Sequence, residues 1–168
     1  MTQKLYYDDP YLRSFTAEVL SVAGAVERLH VERARLHRRL ESVRLELAVR
    51  EGERIRAGAE AGPGGVLLAR AVLEDRDAAW LAAVAGAVTA PGKAVAVLGA
   101  RSEGRAQLCF ARSADLDLDL RPALTEVLPR IGGKGGGRPQ AVQAGGSDPE
   151  GVAPAVEAAA TRIRALLA

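Results

Sequence analysis

Reactive side chains are scarce in this chain of 168 residues: one Cys, two His, one Trp, three Tyr and two Phe. A single cysteine, Cys109, excludes an intramolecular disulfide. It sits in the alternating run Ala106-Gln107-Leu108-Cys109-Phe110 with no histidine near it in sequence, which fits a buried small hydrophobe better than a nucleophile. A hydrolytic zinc site needs about three protein ligands and an open position. The only soft or imidazole candidates are His30, His37 and Cys109, and the two histidines are too far apart along one helix to grip the same ion. No metal, cofactor or catalytic activity is therefore expected. Few aromatics argue against a stacking platform for single strands. No apolar run approaches the roughly eighteen residues of a membrane span, and the opening lacks the blocks of a signal peptide, so a cytoplasmic protein is expected, with no membrane partner. Net charge is only +2. Any attraction for a polyanion must come from the placement of charge.

Glycine, by contrast, is abundant and clustered. The segment Ile131–Gly146 reads IGGKGGGRPQAVQAGG, with five glycines around Lys134 and Arg138. Glycine admits positive φ and close backbone approach, and nearby cations supply charge, which is what contact with a phosphate requires. The spacing is neither a P-loop, since Gly135 follows Lys134, nor a dinucleotide fingerprint, since the preceding segment reads as helix. A flexible linker is the competing reading, and the Arg138-Pro139 step argues against it. The expectation is an ordered loop whose contact residues are Gly132, Gly133, Lys134, Gly135, Gly136, Gly137, Arg138, Gln143, Gly145 and Gly146.

The string Gly132-Gly133-Lys134-Gly135-Gly136-Gly137-Arg138-Pro139, followed by Gln143-Ala144-Gly145-Gly146, resembles the signature of the DHH-associated domain that closes alanyl-tRNA synthetases and their free-standing editing relatives. The resemblance covers Gly65 to the C-terminus. Gln140 departs from it, where an acidic residue is expected, as does the pair Ala141-Val142. The opening KLYYDDPYLRSFTAEVL is similar to the start of alanyl-tRNA editing proteins, which place a zinc-bearing barrel between these two regions. Here that barrel and its ligand motifs are absent, and so is a DHH triplet. The resemblance implies tRNA binding without catalysis, with a separate synthetase or editing protein as a possible partner. The alternatives are a single-stranded or general DNA-binding factor, a coiled-coil oligomerisation scaffold, and an enzyme fragment needing a catalytic partner in trans.

Before the glycine-rich segment the chain divides in two, an arm over 1–61 and an α/β domain over 62–168. In the arm, Leu12, Val19, Val26, Leu40 and Leu47 occupy one heptad position, and Phe15, Val22, Leu29, Leu36 and Val43 the other, a coiled-coil seam interrupted by Arg33. Asp9-Pro10 supplies the start and Gly58 the stop. Family likeness would make residues 11–22 a strand, but the heptad predicts helix. A stripe of that length needs a partner, and a homodimer through the helix is expected. Tyr6, Tyr7 and Tyr11 either cover a core or present a patch.

The α/β part predicts strands at Val66–Leu73, Lys93–Leu98 and Arg105–Ala111. Its helices are one on Trp80, Leu81, Val84, Ala87 and Val88, one through Leu124 and Leu128, and a last one opened by Asp148-Pro149-Glu150. The fold class is α/β, a small layered domain behind a long helix. Asp115, Asp117 and Asp119 alternate with leucines. They read either as carboxylates for a hard cation or as a solvated edge with Leu116, Leu118 and Leu120 turned inward.

Overall fold

The computed structural model describes the backbone from Pro10 to Ala168 and the side chains from Ser21 onward. Helix α1 spans Pro10–Ala57, so the backbone of residues 11–22 is helical, as the heptad predicts. Asp9, Tyr6 and Tyr7 lie outside the described residues, as do the side chains of Tyr11, Leu12, Phe15 and Val19. By contacts the chain forms two compact units, Met1–Val43 and Arg44–Ala168. The domain boundary expected at 61/62 thus follows the end of α1, whereas packing assigns the last turns of that helix to the α/β unit.

In the first unit the seam residues Val22, Val26, Leu29, Leu36, Leu40 and Val43 are all exposed. Among the described residues, no helix is long and apolar enough to cross a membrane.

The second unit is a mixed six-stranded sheet flanked by helices. Its strands are β1 (Glu60–Ala61), β2 (Leu67–Glu74), β3 (Ala94–Ser102), β4 (Arg105–Arg112), β5 (Gly133–Arg138) and β6 (Ala141–Gly146), in the order β1-β2-β3-β4-β6-β5. Only β2 and β3 run parallel, joined through α2 (Ala78–Thr89); every other pairing is antiparallel. Helices α3 (Arg121–Val127) and α4 (Val152–Leu167) complete the unit.

Alternation along the strands sorts side chains into two cores. Val95, Val97, Leu108, Phe110, Val142 and Ala144 face α3 and α4, and Gly99 lets α4 close on the sheet, since a β-carbon there would lie 2.5 Å from Val152 Cγ1. On the other face Ala69, Ala96, Leu98, Ala100 and Cys109 meet α2 together with Ala48 and Ile55 of α1. Gly52 sits between those two α1 residues because its bare Cα allows the helices to touch: a β-carbon would come within 2.6 Å of Ala87 Cβ. Ala87 therefore faces α1, and Ala85 joins Trp80, Leu81, Val84 and Val88 in the buried stripe of α2. Asp77 caps that helix, accepting from the Trp80 backbone N–H at 2.8 Å while pairing with Arg44. Both partners hold the Asp77 carboxyl below its ordinary range, the Arg44 bond contributing most.

Leu118 and Leu120 are buried, while Asp115 accepts from the Lys93 backbone N–H and Asp119 from that of Arg121. These carboxylates cap backbone, and among the described residues no group of three or more His, Cys, Asp or Glu is placed to hold a metal ion. The last helix does not open at Asp148-Pro149-Glu150 as expected: Asp148 accepts from the backbone N–H groups of Glu150 and Gly151 within a turn, and α4 begins at Val152 with Gly151 as its N-cap and no side-chain cap.

Candidate nucleic-acid interface

The segment expected to be an irregular loop is an antiparallel hairpin, β5 and β6, and three expected strands become six. Glycine disfavours strands because it loses the most backbone entropy and packs no side chain, so residues 133–146 give no strand signal of their own. The pairing is made by close approach instead. A β-carbon on Gly133 would stand 2.3 Å from the Gly145 carbonyl oxygen, one on Gly135 2.4 Å from that of Gln143, and one on Gly137 2.4 Å from that of Ala141. These three glycines are required by the fold.

Both ends of the hairpin are pinned. At the two-residue turn, the Pro139 carbonyl accepts from Leu120 N–H and the Gln140 carbonyl from Arg112 N–H. At the open end Gly132 adopts a left-handed conformation (φ 55°), and Gly146 passes so near Ile131 that a β-carbon would lie 2.1 Å from its carbonyl oxygen.

Strand registers place three cross-strand rows on the face that α2 covers elsewhere: Gln107–Gly145–Lys134, Cys109–Gln143–Gly136 and Ala111–Ala141–Arg138. Over β3, and at Cys109 and Ala111 of β4, this face is packed under α2. Over β6 and β5 it is bare, with Ala141, Gln143, Gly145, Lys134, Gly136 and Arg138 all exposed. Lys134 and Arg138 stand about 13 Å apart along β5, from the rise per strand residue. Arg105 extends the cationic border at the start of β4, above a shallow concavity of about 520 Å³ that Gln107, Lys134 and Gly145 also line. Among the described residues Arg105, Lys134 and Arg138 make no side-chain ion pair or hydrogen bond, whereas Arg70, Arg101, Arg121 and Arg164 are each paired to a carboxylate.

Gly136 and Gly145 differ from the other glycines of the hairpin. Neither has positive φ, and a β-carbon on either would meet nothing within 4 Å. Among the described residues nothing requires them to be glycine. Between them lies Gln143, whose Nε2 leans inward to Cys109 Sγ at 4.0 Å. Burial pushes the Cys109 thiol up to about 11, so it is inert at neutral pH.

Of the ten residues expected to make contact, Lys134, Gly136, Arg138, Gln143 and Gly145 come together on the open face. Gly132, Gly133, Gly135, Gly137 and Gly146 shape the backbone beneath it. Arg105 and Gln107 join the face without having been singled out in the sequence. The signal was present in the alternation of Arg105–Ala111, but only the pairing of Gln107 with Gly145 shows which side matters.

The DHHA1 domain model matches residues 66–165. The chain belongs to the DHHA1 domain family. Over 131 residues, 76% of the chain, it is 34% identical to the alanine–tRNA ligase of Aromatoleum aromaticum, covering 14% of that protein. Over 68 residues, 39% of the chain, it is 44% identical to that of Anaeromyxobacter dehalogenans, covering 8% of it. The chain therefore spans only a small part of the curated relatives it matches. The fold is similar to the C-Ala domain of Aquifex aeolicus alanyl-tRNA synthetase, with TM-score 0.56 and 21% identity over 65% of this chain and 96% of that one. The match of the DHHA1 domain ends just short of the C-terminus and contains the whole hairpin.

Proposed function

We propose that this DHHA1 domain protein is a non-catalytic nucleic-acid-binding module, with tRNA as its ligand, and that the open β4–β6–β5 face is the contact surface. The observation that carries the reading is the bare face itself: two glycines with no internal steric role, bordered by three cations that pair with nothing else among the described residues. Phosphate contacts supply affinity and position, and a glycine floor lets a sugar–phosphate backbone approach more closely than any side chain would permit. The kinship with alanine–tRNA ligases favours tRNA over other polyanions. The test is a filter-binding titration against tRNA, single-stranded DNA and duplex DNA at several salt concentrations. The double substitution Lys134→Ala with Arg138→Ala is expected to lower the slope of log K against log salt by roughly 1.4 to 1.8. An unchanged slope would favour a scaffold whose hairpin makes protein contacts. Co-purification with a synthetase or editing protein would identify a partner supplying chemistry in trans.

The exposed heptad favours a second element of the same reading, self-association through α1. Leu29, Leu36 and Leu40 form an apolar groove with Arg33 and His37, and an aliphatic stripe of this kind is the seam of a two-stranded coiled coil. A homodimer would present two hairpins and raise the effective concentration of the second. Leu29→Asp with Leu36→Asp is expected to turn a dimer into a monomer in sedimentation velocity. A monomeric wild-type chain would remove this element and leave the hairpin proposal standing.

A further inference from the structure

We infer that the open face distinguishes RNA from DNA, with Gln107 reading the ribose 2′-hydroxyl across the bare Cα of Gly145, an inference that rests on the nucleic-acid reading above. Gln107 stands directly opposite Gly145 on the paired strand, and alternation puts its side chain on the open face. Its Oε1 is buried and has no hydrogen-bond donor. A buried acceptor left unpaired is costly and uncommon in native proteins. Gln107 as a whole is only half-buried and lines the concavity with Lys134 and Gly145, so a turn of its terminal torsion brings this oxygen to the opening, where a ligand can supply the missing donor.

The geometry of the neighbours points to the class of donor. Any side chain at 145 would stand over Gln107, but the position is glycine although a β-carbon there would meet nothing within 4 Å. The same row ends at Lys134, about 10 Å from Gln107 by the spacing of two strands. A phosphate drawn to Lys134 therefore brings its own or a neighbouring sugar over Gly145. Phosphate oxygens offer no proton, and neither does the deoxyribose backbone of DNA. The 2′-hydroxyl is the one backbone donor that RNA adds at every nucleotide. Because it both donates and accepts, it satisfies the Gln107 amide in either orientation of that group.

The test is fluorescence anisotropy with three hairpins of one sequence: RNA, DNA, and RNA carrying 2′-O-methyl groups. The wild-type protein is expected to bind RNA about tenfold more tightly than DNA, the worth of one good hydrogen bond, and to treat the methylated hairpin like DNA. Gln107→Leu should weaken RNA binding to the DNA level while leaving DNA binding unchanged. Gly145→Val, a substitution with open space around it, should weaken RNA and DNA together, because the bare Cα admits the backbone they share, and should also reduce the preference for RNA, so a folding defect at position 107 cannot mask the result. Lys134→Ala with Arg138→Ala should weaken all three hairpins together. Equal binding of RNA and DNA by the wild type, or a preference that survives both substitutions, overturns the inference and leaves the nucleic-acid reading intact. Failure to bind any hairpin overturns both.

Discussion

One face of the sheet carries two surfaces that differ in everything except their strand geometry. Across β3 and β4, Ala96, Leu98, Ala100 and Cys109 are buried beneath α2. Two strands further along, the same alternation presents Ala141, Gln143 and Gly145 on β6, and Lys134, Gly136 and Arg138 on β5, to solvent. The helix ends the coverage, and the composition changes where it ends. Aliphatic residues give way to glycine, amide and cation. On the opposite face the core continues one strand further, since Val142 and Ala144 of β6 are buried on the α3–α4 side, and ends at β5, where Gly135 and Gly137 are exposed. The bare half thus has core behind β6, which anchors it without giving it a cover.

The sharpest way to break the comparison is to disturb what the two surfaces share, the hairpin backbone. Gly135→Val drives a side chain against the Gln143 carbonyl and is expected to cost about 3 kcal/mol, read as a lower urea midpoint. Gly136→Val, one residue along but on the open face, is expected to leave that midpoint within about 0.5 kcal/mol. It should nonetheless weaken tRNA binding on the order of tenfold, or about 1.4 kcal/mol. The two neighbours would then separate a glycine needed for folding from one needed for contact.

The covered half can be loosened alone through its cap. Asp77→Ala removes the acceptor for the Trp80 N–H and is expected to cost about 1 kcal/mol, without altering the salt slope of tRNA binding. The pH dependence has a definite sign. Its folded-state pKa lies below the unfolded value, so the unfolded chain binds the proton more readily. The Asp77 contribution is present above the ordinary aspartate range near 4 and is lost as pH falls through the folded value. A smaller denaturation difference between wild type and Asp77→Ala at pH 3 than at pH 7 is the outcome to look for.

Cys109 marks the border of the two halves, where labelling reads burial and leaves stability untouched. With its thiol pushed up to about 11, native protein should label with maleimide at pH 7.5 on the order of a hundredfold more slowly than unfolded chain. Labelling at the unfolded rate would mean that the border is open.

Much of this arrangement is legible before folding, for physical reasons that also explain what is not. The buried stripe of α2 shows in the spacing of Trp80, Leu81, Val84 and Val88, and the strands β2, β3 and β4 show in their apolar or alternating runs. The long helix shows in its heptads. The hairpin does not show, because Gly133, Gly135 and Gly137 contribute to a strand only by allowing β6 to approach, at partners five to thirteen residues away in sequence. Lys134, Arg138 and Gln143 could be singled out from charge and glycine context. Gln107 and Arg105 could not, since their importance comes from the β4–β6 register.

The most direct measurement is an amide chemical-shift map of the isotopically labelled protein titrated with tRNA. The resonances of Lys134, Gly136, Gln143, Gly145 and Gln107 are expected to move together and saturate at one affinity, while those of Leu98, Val84 and Ala159, on the covered side and within α4, stay in place. Shifts confined to the α4 surface or to α1, with the hairpin unmoved at saturating tRNA, would contradict the assignment of the open face as the contact surface.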